Sequence, residues 1–574
     1  MKPPSRKSAP APPRLSAPLW HYLLLCCFPA LLTLINSNWA FQNLGHMDAW
    51  YYFGDFRHFP RFHLLAPDHI GNYPNERIPW IFPGLVLVRL FGHVNGVFLL
   101  HCLVLVACLL LTHYILLRTT DYRTALAGAV LLGAYPCFIG ATGWDYVDSM
   151  QMLLLAASIA LLVKAARSGA HATLYVFLSG AAWSGILYLF LPWAAFTPIY
   201  FWLAVSLTAP GREFRRAAPR IAGILLLAGA FATAALWAIY LLLGAHGFFY
   251  RLNLMMALSL SNVSSNPWIS ATWYREPTWL IVPVLALGLA ALWSAASRFG
   301  LVTLPPERKW LLWFYLLCFA VMVGFTVHQT RLLASDHHMS VIIPATYVAL
   351  GITVLRVPAS VRPWLFYTVV ALAGTVSLST LASPGSFHAL LHWQAQLGGA
   401  VLITALAAFS WWRHRQGHAL CWAAIVLTLA AMSTALVPAY PGLAWKENYH
   451  GRESYERVAR AIDVVMQRLP QDALPTFWFD NESDPLTGEF RGVMCAFLAH
   501  GQSQMHFPAL DLTRPFQGSE HLIVMTRDRA GAETARAVLA RAGMPSLVKS
   551  QDLVQSGDAS FWLAELQLLP AQRP

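Results

Sequence analysis

Long apolar segments recur along the chain, each separated from the next by a short polar stretch. A helix of about 20 apolar residues is long enough to cross the ~30 Å hydrocarbon core of a bilayer. The pattern therefore predicts an α-helical polytopic membrane protein with about thirteen transmembrane helices, at residues 19–40, 94–118, 124–141, 149–166, 172–188, 190–208, 221–244, 278–297, 310–327, 338–356, 363–383, 397–412 and 419–438.

One further apolar segment, residues 78–92, is short and contains Pro79, Pro83 and Arg89. Short cytoplasmic loops of membrane proteins carry an excess of Lys and Arg, which decides how this segment is interpreted. If residues 78–92 lie along the outer surface, every short basic loop faces the cytoplasm, whereas most of these loops face outward if the segment spans. We therefore expect an interfacial helix at residues 78–92.

This topology divides the chain into three parts. Residues 1–18 form a cytoplasmic N-terminus, and residues 19–439 form the transmembrane domain, whose first outer loop is 41–93. Residues 440–574 follow on the outer side. The composition is typical of a bacterial protein, so we expect a multi-pass protein of the inner membrane with a periplasmic C-terminal domain.

The chain changes character after residue 439, because 16 of its 27 acidic residues lie there. Residues 453–469 have apolar positions at helical spacing, and 530–542 also favour a helix. Short apolar runs predict strands, at 476–479, 521–526 and 560–568. Alternating strands and helices indicate a small soluble α/β domain without a nucleotide-binding motif.

The composition also indicates a membrane protein. Of the 574 residues, 57% are hydrophobic and only 11% are charged, which excludes an ordinary soluble protein. The net charge of +12 comes largely from the basic loops, so it is an orientation signal and predicts no nucleic-acid partner.

Polar residues that could carry chemistry concentrate on the predicted outer face. Carboxylates beside aromatic rings suit a sugar site, and cationic or His side chains suit a phosphate. Charged groups at the mouth of a membrane helix are costly unless they are solvated, paired or used. Three clusters meet these criteria: Asp48, Trp50, Tyr51, Tyr52 and Asp55; Asp145 and Asp148; and Arg331, His337 and His338.

Two stretches of this chain resemble a known family. The first is an acid soon after the first span, followed by Tyr73-Pro74-Asn75-Glu76-Arg77-Ile78-Pro79 and a short apolar helix ending at Gly92. The second is a third span ending at Pro136, with Asp148 twelve residues later. Over residues 19–360 the chain resembles the GT-C superfamily, specifically bacterial enzymes like the dolichyl-phosphate-mannose–protein mannosyltransferases, relatives of the lipid A aminoarabinose transferase.

The resemblance implies an inverting glycosyltransferase that takes a sugar from a polyprenyl-phosphate donor on the non-cytoplasmic side. Asp48 would be the general base, and Asp148, with Asp145 as its neighbour, would be the acid of the second outer loop. Glu76 and Arg77 are further candidates for substrate binding. The chain departs from the family pattern at Ala49, where many relatives have a second acid, and at His337-His338, where Arg-Tyr is common.

The partners implied are the lipid-linked donor, the membrane, and a lipid, glycan or protein acceptor. The sequence names no cofactor, and a divalent cation such as Mg²⁺ or Mn²⁺ held by Asp145 and Asp148 is one option. A carboxylate can take the proton of a hydroxyl as it attacks the anomeric carbon, and a cation or metal can stabilise the departing phosphate.

Other interpretations remain open. Residues 47–52 have some likeness to the first-loop acid motif of oligosaccharyltransferases, although the Trp-Trp-Asp signature of those enzymes is absent. A lipid or saccharide transporter or flippase is a second alternative, and an assembly protein whose outer domain binds partners is a third. Asp48 and Asp148 could also be helix caps. For Asp55, a structural role is the favoured interpretation.

Overall fold

The structure, a computed structural model, describes most of the chain in fourteen segments: 17–41, 47–65, 70–143, 145–209, 213–261, 281–327, 340–382, 393–412, 419–434, 451–470, 475–479, 486–497, 521–541 and 543–569. Helices dominate the described residues, and a small sheet lies near the C-terminus. The predicted combination of a helical membrane domain and a C-terminal α/β domain is confirmed.

The first half of the membrane domain begins with two short helices that occupy the first predicted span. They are separated at Cys27, two residues before Pro29, whose ring removes a backbone N–H donor. In chain order the helices are α1 Leu19–Cys26, α2 Phe28–Ile35, α3 Met47–Leu65, α4 Ile78–Phe91, α5 His93–Thr119, α6 Tyr122–Gly133, α7 Pro136–Thr142, α8 Val147–Ala165, α9 Ala172–Leu189 and α10 Thr197–Thr208. Short 3₁₀ helices occupy Ile70–Glu76, Gly169–His171 and Leu191–Phe196.

The second half of the membrane domain has a long helix, Phe214–Leu242, with many large apolar side chains exposed. The helices are α11 Phe214–Leu242, α12 Arg251–Ser261, α13 Ile281–Arg298, α14 Pro306–Val327, α15 Ile343–Thr353, α16 Pro363–Ala382, α17 Trp393–Trp412 and α18 Ala419–Ser433. A 3₁₀ turn at Ser340–Ile342 precedes α15.

Among the described residues, seven helical segments are long and apolar enough to cross a membrane. An eighth crossing is formed if α6 and α7 are one span, which bends by 65° where Pro136 begins α7. The predicted span 124–141 is therefore broken rather than straight. The chain is a multi-pass membrane protein, and the total of thirteen spans stays a prediction.

The segment predicted to lie along the outer surface forms α4, a helix of 14 residues. It packs against α3 and α5. Gly84 permits a close approach to α3, because a Cβ there would lie 2.4 Å from the ring of Phe56. Its orientation to the membrane stays a prediction.

The C-terminal domain contains α19 Gly451–Arg468, α20 Thr487–Phe497 and α21 Gly531–Arg541, with strands β1 Thr476–Phe479, β2 His521–Thr526, β3 Ser546–Ser556 and β4 Ala559–Leu568. The strand order is β1-β2-β4-β3, with β1 and β2 parallel and the other pairs antiparallel. The predicted strands and helices are present. Strand β3, which is partly exposed and mostly polar, and helix α20 were not predicted.

Candidate active site

Helix α3 lies in the predicted first outer loop and carries the five candidate residues of the first cluster. Position 48 is the second residue of α3, one helical turn before Tyr52 and two turns before Asp55. Residues four and seven apart lie on one side of a helix. Positions 48, 52 and 55 therefore share a side of α3, whereas the side chain of Asp48 lies outside the described residues.

Arg77 is the buried cation of this region, with 4% of its surface exposed. Its Nη1 donates a hydrogen bond of 2.5 Å to the hydroxyl of Tyr52. The guanidinium carbon lies 5.0 Å from the ring centre of Tyr73 and 6.0 Å from that of Tyr146, both within reach of a cation–π contact. No carboxylate of the described residues forms an ion pair with Arg77, so aromatic rings and hydroxyls surround its charge.

Glu76 does not pair with its neighbour Arg77 but binds the start of helix α12. Its two carboxylate oxygens accept hydrogen bonds of 2.8 Å from the backbone N–H groups of Leu252 and Asn253, and one also accepts from the Asn253 side chain. A carboxylate is favoured at a helix N-terminus, where several N–H groups lack partners within the helix. Burial nevertheless raises the pKa of Glu76 to about 7.

The second cluster reaches the membrane helices through Asp145. Its Oδ1 lies 2.8 Å from Nε2 of His101, and both side chains are almost completely buried. The other ring nitrogen of His101, Nδ1, lies 3.0 Å from the carbonyl oxygen of Ala40 and donates to it. The indole of Trp80 lies nearly parallel to the imidazole at 6.5 Å. Asp145 is therefore held by a histidine from the predicted second span.

Asp148 lies in the first turn of α8 and is fully buried. The positive end of the helix dipole favours a carboxylate there. Tyr146, two residues earlier, lies beside both Tyr52 and Arg77. Its ring centre lies 5.9 Å from that of Tyr52 and 6.0 Å from the guanidinium carbon of Arg77. The first and second clusters are thus brought together through Tyr52, Arg77 and Tyr146.

Trp50 and Tyr51 have different surroundings from Tyr52. Trp50 is buried with 1% exposure and packs against Tyr455 of the C-terminal domain, with ring centres 5.2 Å apart. It is therefore part of a protein core rather than an open sugar-stacking platform. Tyr51 is partly exposed. The third predicted cluster, Arg331, His337 and His338, lies outside the described residues.

Asp55 is 1% exposed, and burial raises the pKa of its carboxyl group well above the ordinary value. Within the part of the chain that the structure describes, neither a hydrogen bond nor an ion pair reaches this side chain. A carboxyl group without a partner in such surroundings is favoured in its neutral form.

The residues that would hold a divalent cation were predicted to be Asp145 and Asp148. Among the described residues, no group of three or more His, Cys, Asp or Glu side chains is arranged to bind a metal ion. Asp145 contacts His101 instead. No chemical step below depends on a metal.

Sequence reasoning missed three partners of the site. No sequence pattern assigned a role to His101, Tyr73 or Tyr146. A signal for His101 exists, because an ionisable residue within a membrane helix needs a partner. The sequence could not say which acid supplied it, since Asp145 is 44 residues away.

Solved structures similar to this chain include ArnT from Cupriavidus metallidurans bound to undecaprenyl phosphate. Identity is 14%, the TM-score is 0.49, and the match covers 94% of this chain and 97% of that one. Its apo form matches with 14% identity, a TM-score of 0.45 and coverages of 95% and 97%. The archaeal oligosaccharyltransferase AglB from Archaeoglobus fulgidus, in complex with an inhibitory peptide and a dolichol-phosphate, matches with 13% identity, a TM-score of 0.40 and coverages of 88% and 69%.

No family model matches the chain, and no curated protein sequence matches it. Function therefore has to be argued from the chain's own site.

Proposed function

We propose that this protein is an integral-membrane inverting glycosyltransferase of the bacterial inner membrane. It transfers a sugar from a polyprenyl-phosphate donor to an acceptor on the periplasmic side, where its C-terminal domain also lies. The observation that carries the proposal is Arg77, a buried cation bonded to Tyr52 and surrounded by tyrosine rings, without a carboxylate partner among the described residues.

A buried charge is expensive unless something compensates it. The anion that fits Arg77 is the phosphate of a lipid-linked donor, because guanidinium and phosphate form charge-assisted hydrogen bonds. Arg77 directly precedes α4, an apolar helix whose expected place is the membrane interface. A cation at that level can meet a phosphate whose polyprenyl chain remains in the bilayer.

The reaction is a single displacement at the anomeric carbon. The acceptor hydroxyl gives its proton to the carboxylate of Asp48 while its oxygen forms the new glycosidic bond. The bond between the anomeric carbon and the phosphate oxygen breaks, and its electron pair leaves with the polyprenyl phosphate. Arg77 stabilises the charge that develops on this leaving group. One displacement inverts the anomeric configuration.

Asp145 and Asp148 belong to the acceptor side of this scheme. Both are buried in the second outer loop and the start of α8, and Tyr146 connects them to Tyr52 and Arg77. We assign them to acceptor positioning. The imidazole of His101 lies 2.8 Å from Asp145 and sets its position.

The test uses purified full-length protein and a panel of undecaprenyl-phosphate-linked pentoses and hexoses, with mass analysis of products. We expect release of undecaprenyl phosphate from at least one donor, by transfer or slow hydrolysis, and loss of this release in Asp48→Asn. Movement of intact donor across proteoliposomes without any cleavage would instead support the transporter alternative. Cleavage only of diphosphate-linked oligosaccharides would support the oligosaccharyltransferase alternative.

A further inference from the structure

Helix α3 lies between the membrane domain and the C-terminal domain. Tyr52 on one side of it binds Arg77, whereas Trp50 and Phe53 contact the C-terminal domain. The ring of Tyr455, on α19, lies 5.2 Å from each of these two rings and 5.3 Å from that of Phe41. The helix that carries position 48 is thus packed on both sides.

Gly492 on α20 lies close to α3. A Cβ atom at this position would lie 2.9 Å from Cε2, 3.1 Å from Cζ2 and 3.2 Å from Cδ2 of Trp50. The indole is a rigid ring in a packed core, so it cannot move aside as the end of a flexible side chain would. Any side chain at position 492 must therefore displace Trp50, which is two residues from Asp48.

Polar contacts also join α3 and α5 to the C-terminal domain. Asp463 of α19 accepts from Nε of Arg57 at 2.7 Å and lies 3.0 Å from Nε2 of His58, both residues of α3. At the start of α19, the side chain of Arg452 donates to Asn95 of α5 at 2.9 Å. Helix α19 is therefore attached to α3 and to a membrane helix at once.

The two helices that hold α3 are also fastened to each other. Arg457 of α19 forms hydrogen bonds of 2.8 and 2.7 Å with the two carboxylate oxygens of Glu489 of α20, and both side chains are buried. A bidentate pair of this kind is geometrically specific. The helices α19 and α20 therefore form one rigid support on which Trp50 and Phe53 rest.

We propose that the C-terminal domain positions α3 for catalysis, with Tyr455 and Gly492 as the positioning residues that hold the backbone at Asp48. This inference rests on the proposed function of Asp48. The domain would then contribute to the transfer rate without touching sugar or phosphate. A domain that only recruits the acceptor would have no need to pack its helices against the helix of the general base.

The test compares Gly492→Ala, Trp50→Phe and the double variant in the full-length protein. Gly288→Ala on α13 is the matched control, because a Cβ there meets no atom within 4 Å. Misplacing a catalytic group by about 1 Å can cost about 100-fold in rate. We expect Gly492→Ala to lower kcat by at least about tenfold with little change in the KM for the undecaprenyl-phosphate sugar, and the smaller ring of the double variant to restore most of the loss.

A second measurement does not depend on knowing the substrate. Hydrogen–deuterium exchange over residues 49–56 should become faster in Gly492→Ala, return toward wild type in the double variant, and stay unchanged in Gly288→Ala. Unchanged exchange in folded Gly492→Ala overturns the inference, as does a lost kcat that Trp50→Phe fails to restore. If the wild type cleaves none of the donors, the proposed function fails, and the exchange data still decide whether the domain positions α3.

Discussion

Two arginines of this protein are buried to nearly the same degree but are compensated differently. Arg457, in the C-terminal domain, is 2% exposed and is bound by both oxygens of Glu489. Arg77, directly before α4, is 4% exposed and is bound by the hydroxyl of Tyr52 and surrounded by tyrosine rings. The first charge is neutralised by the protein itself, whereas the second is hydrogen-bonded but not neutralised within the described residues.

The difference separates a structural charge from one that can bind an anion. Arg457 already has its carboxylate, so an incoming phosphate would have to displace Glu489. Arg77 keeps its full positive charge in a low-dielectric setting, where an anion gains more from electrostatic attraction than it would in water. Burial alone does not distinguish the two sites; the chemistry of the neighbours does.

The largest expected effect is that of Asp48→Asn, which tests whether the Arg77 side of α3 is the reactive side. Removing a general base typically costs 10²–10⁴-fold in rate, and the amide is nearly isosteric, so folding should be retained. Steady-state transfer with an undecaprenyl-phosphate sugar measures the loss. Asp55→Asn is the control: burial raises the pKa of Asp55 and favours its neutral form, which an amide mimics closely, so transfer should be almost unchanged. The reverse result would identify Asp55 as the working carboxylate.

The arginines themselves provide the second test, with Gln at each position. Arg457→Gln leaves Glu489 buried without its cation, which typically costs about 3–5 kcal/mol of unfolding free energy. Arg77→Gln removes a buried charge that no carboxylate of the described residues neutralises, so the thermal unfolding midpoint in detergent should stay level or rise. Binding of undecaprenyl phosphate should fall by about 100-fold in Arg77→Gln. Equal destabilisation by both variants would remove the distinction between the two sites.

A third test concerns Glu76, the acid next to Arg77. Burial raises the pKa of Glu76 to about 7 in the folded protein, from 4.5. The folded state then binds a proton more tightly than the unfolded state, so this group's contribution to stability is present below about pH 4.5 and is lost as the pH rises to about 7. The shift corresponds to about 3 kcal/mol.

Glu76→Gln should remove this pH dependence. The difference in unfolding midpoint, variant minus wild type, should therefore increase between pH 5 and pH 8. Thermal unfolding in the same detergent at both pH values measures it. A difference that is constant with pH would mean that the hydrogen bonds from Leu252 and Asn253 keep Glu76 ionised throughout.

The smallest expected effect is that of Tyr52→Phe, which removes one hydrogen bond to Arg77. Such bonds contribute about 1 kcal/mol net, so affinity for undecaprenyl phosphate should change by about fivefold. Tyr315→Phe is the matched control, because its buried hydroxyl bonds Pro283 and Thr346 far along the chain from this site. A similar change of affinity in both variants would show that the effect is general destabilisation.

Patterns of neighbouring residues along the sequence predicted much of the fold. Apolar runs located the membrane helices, and strands 476–479 and 521–526 were read from their buried, β-branched and aromatic residues. The pairing of Asp145 with His101 and the capping of α12 by Glu76 could not be predicted, because each joins residues far apart in sequence. Trp50 shows the same limit: an aromatic beside an acid suggests a sugar platform, but the C-terminal domain, some 400 residues later, covers it.

The contact between His101 and Asp145 has a consequence for how the chain assembles in the membrane. Nδ1 of the ring donates to the Ala40 carbonyl, and Nε2 lies 2.8 Å from the Asp145 carboxylate. Both partners of the ring therefore come from outside α5, one earlier and one later in the chain. A polar side chain inside a membrane helix is costly without partners, and α5 alone supplies neither of these two. Asp145 lies 44 residues after His101, so the pairing is an event of helix assembly that follows the insertion of α5.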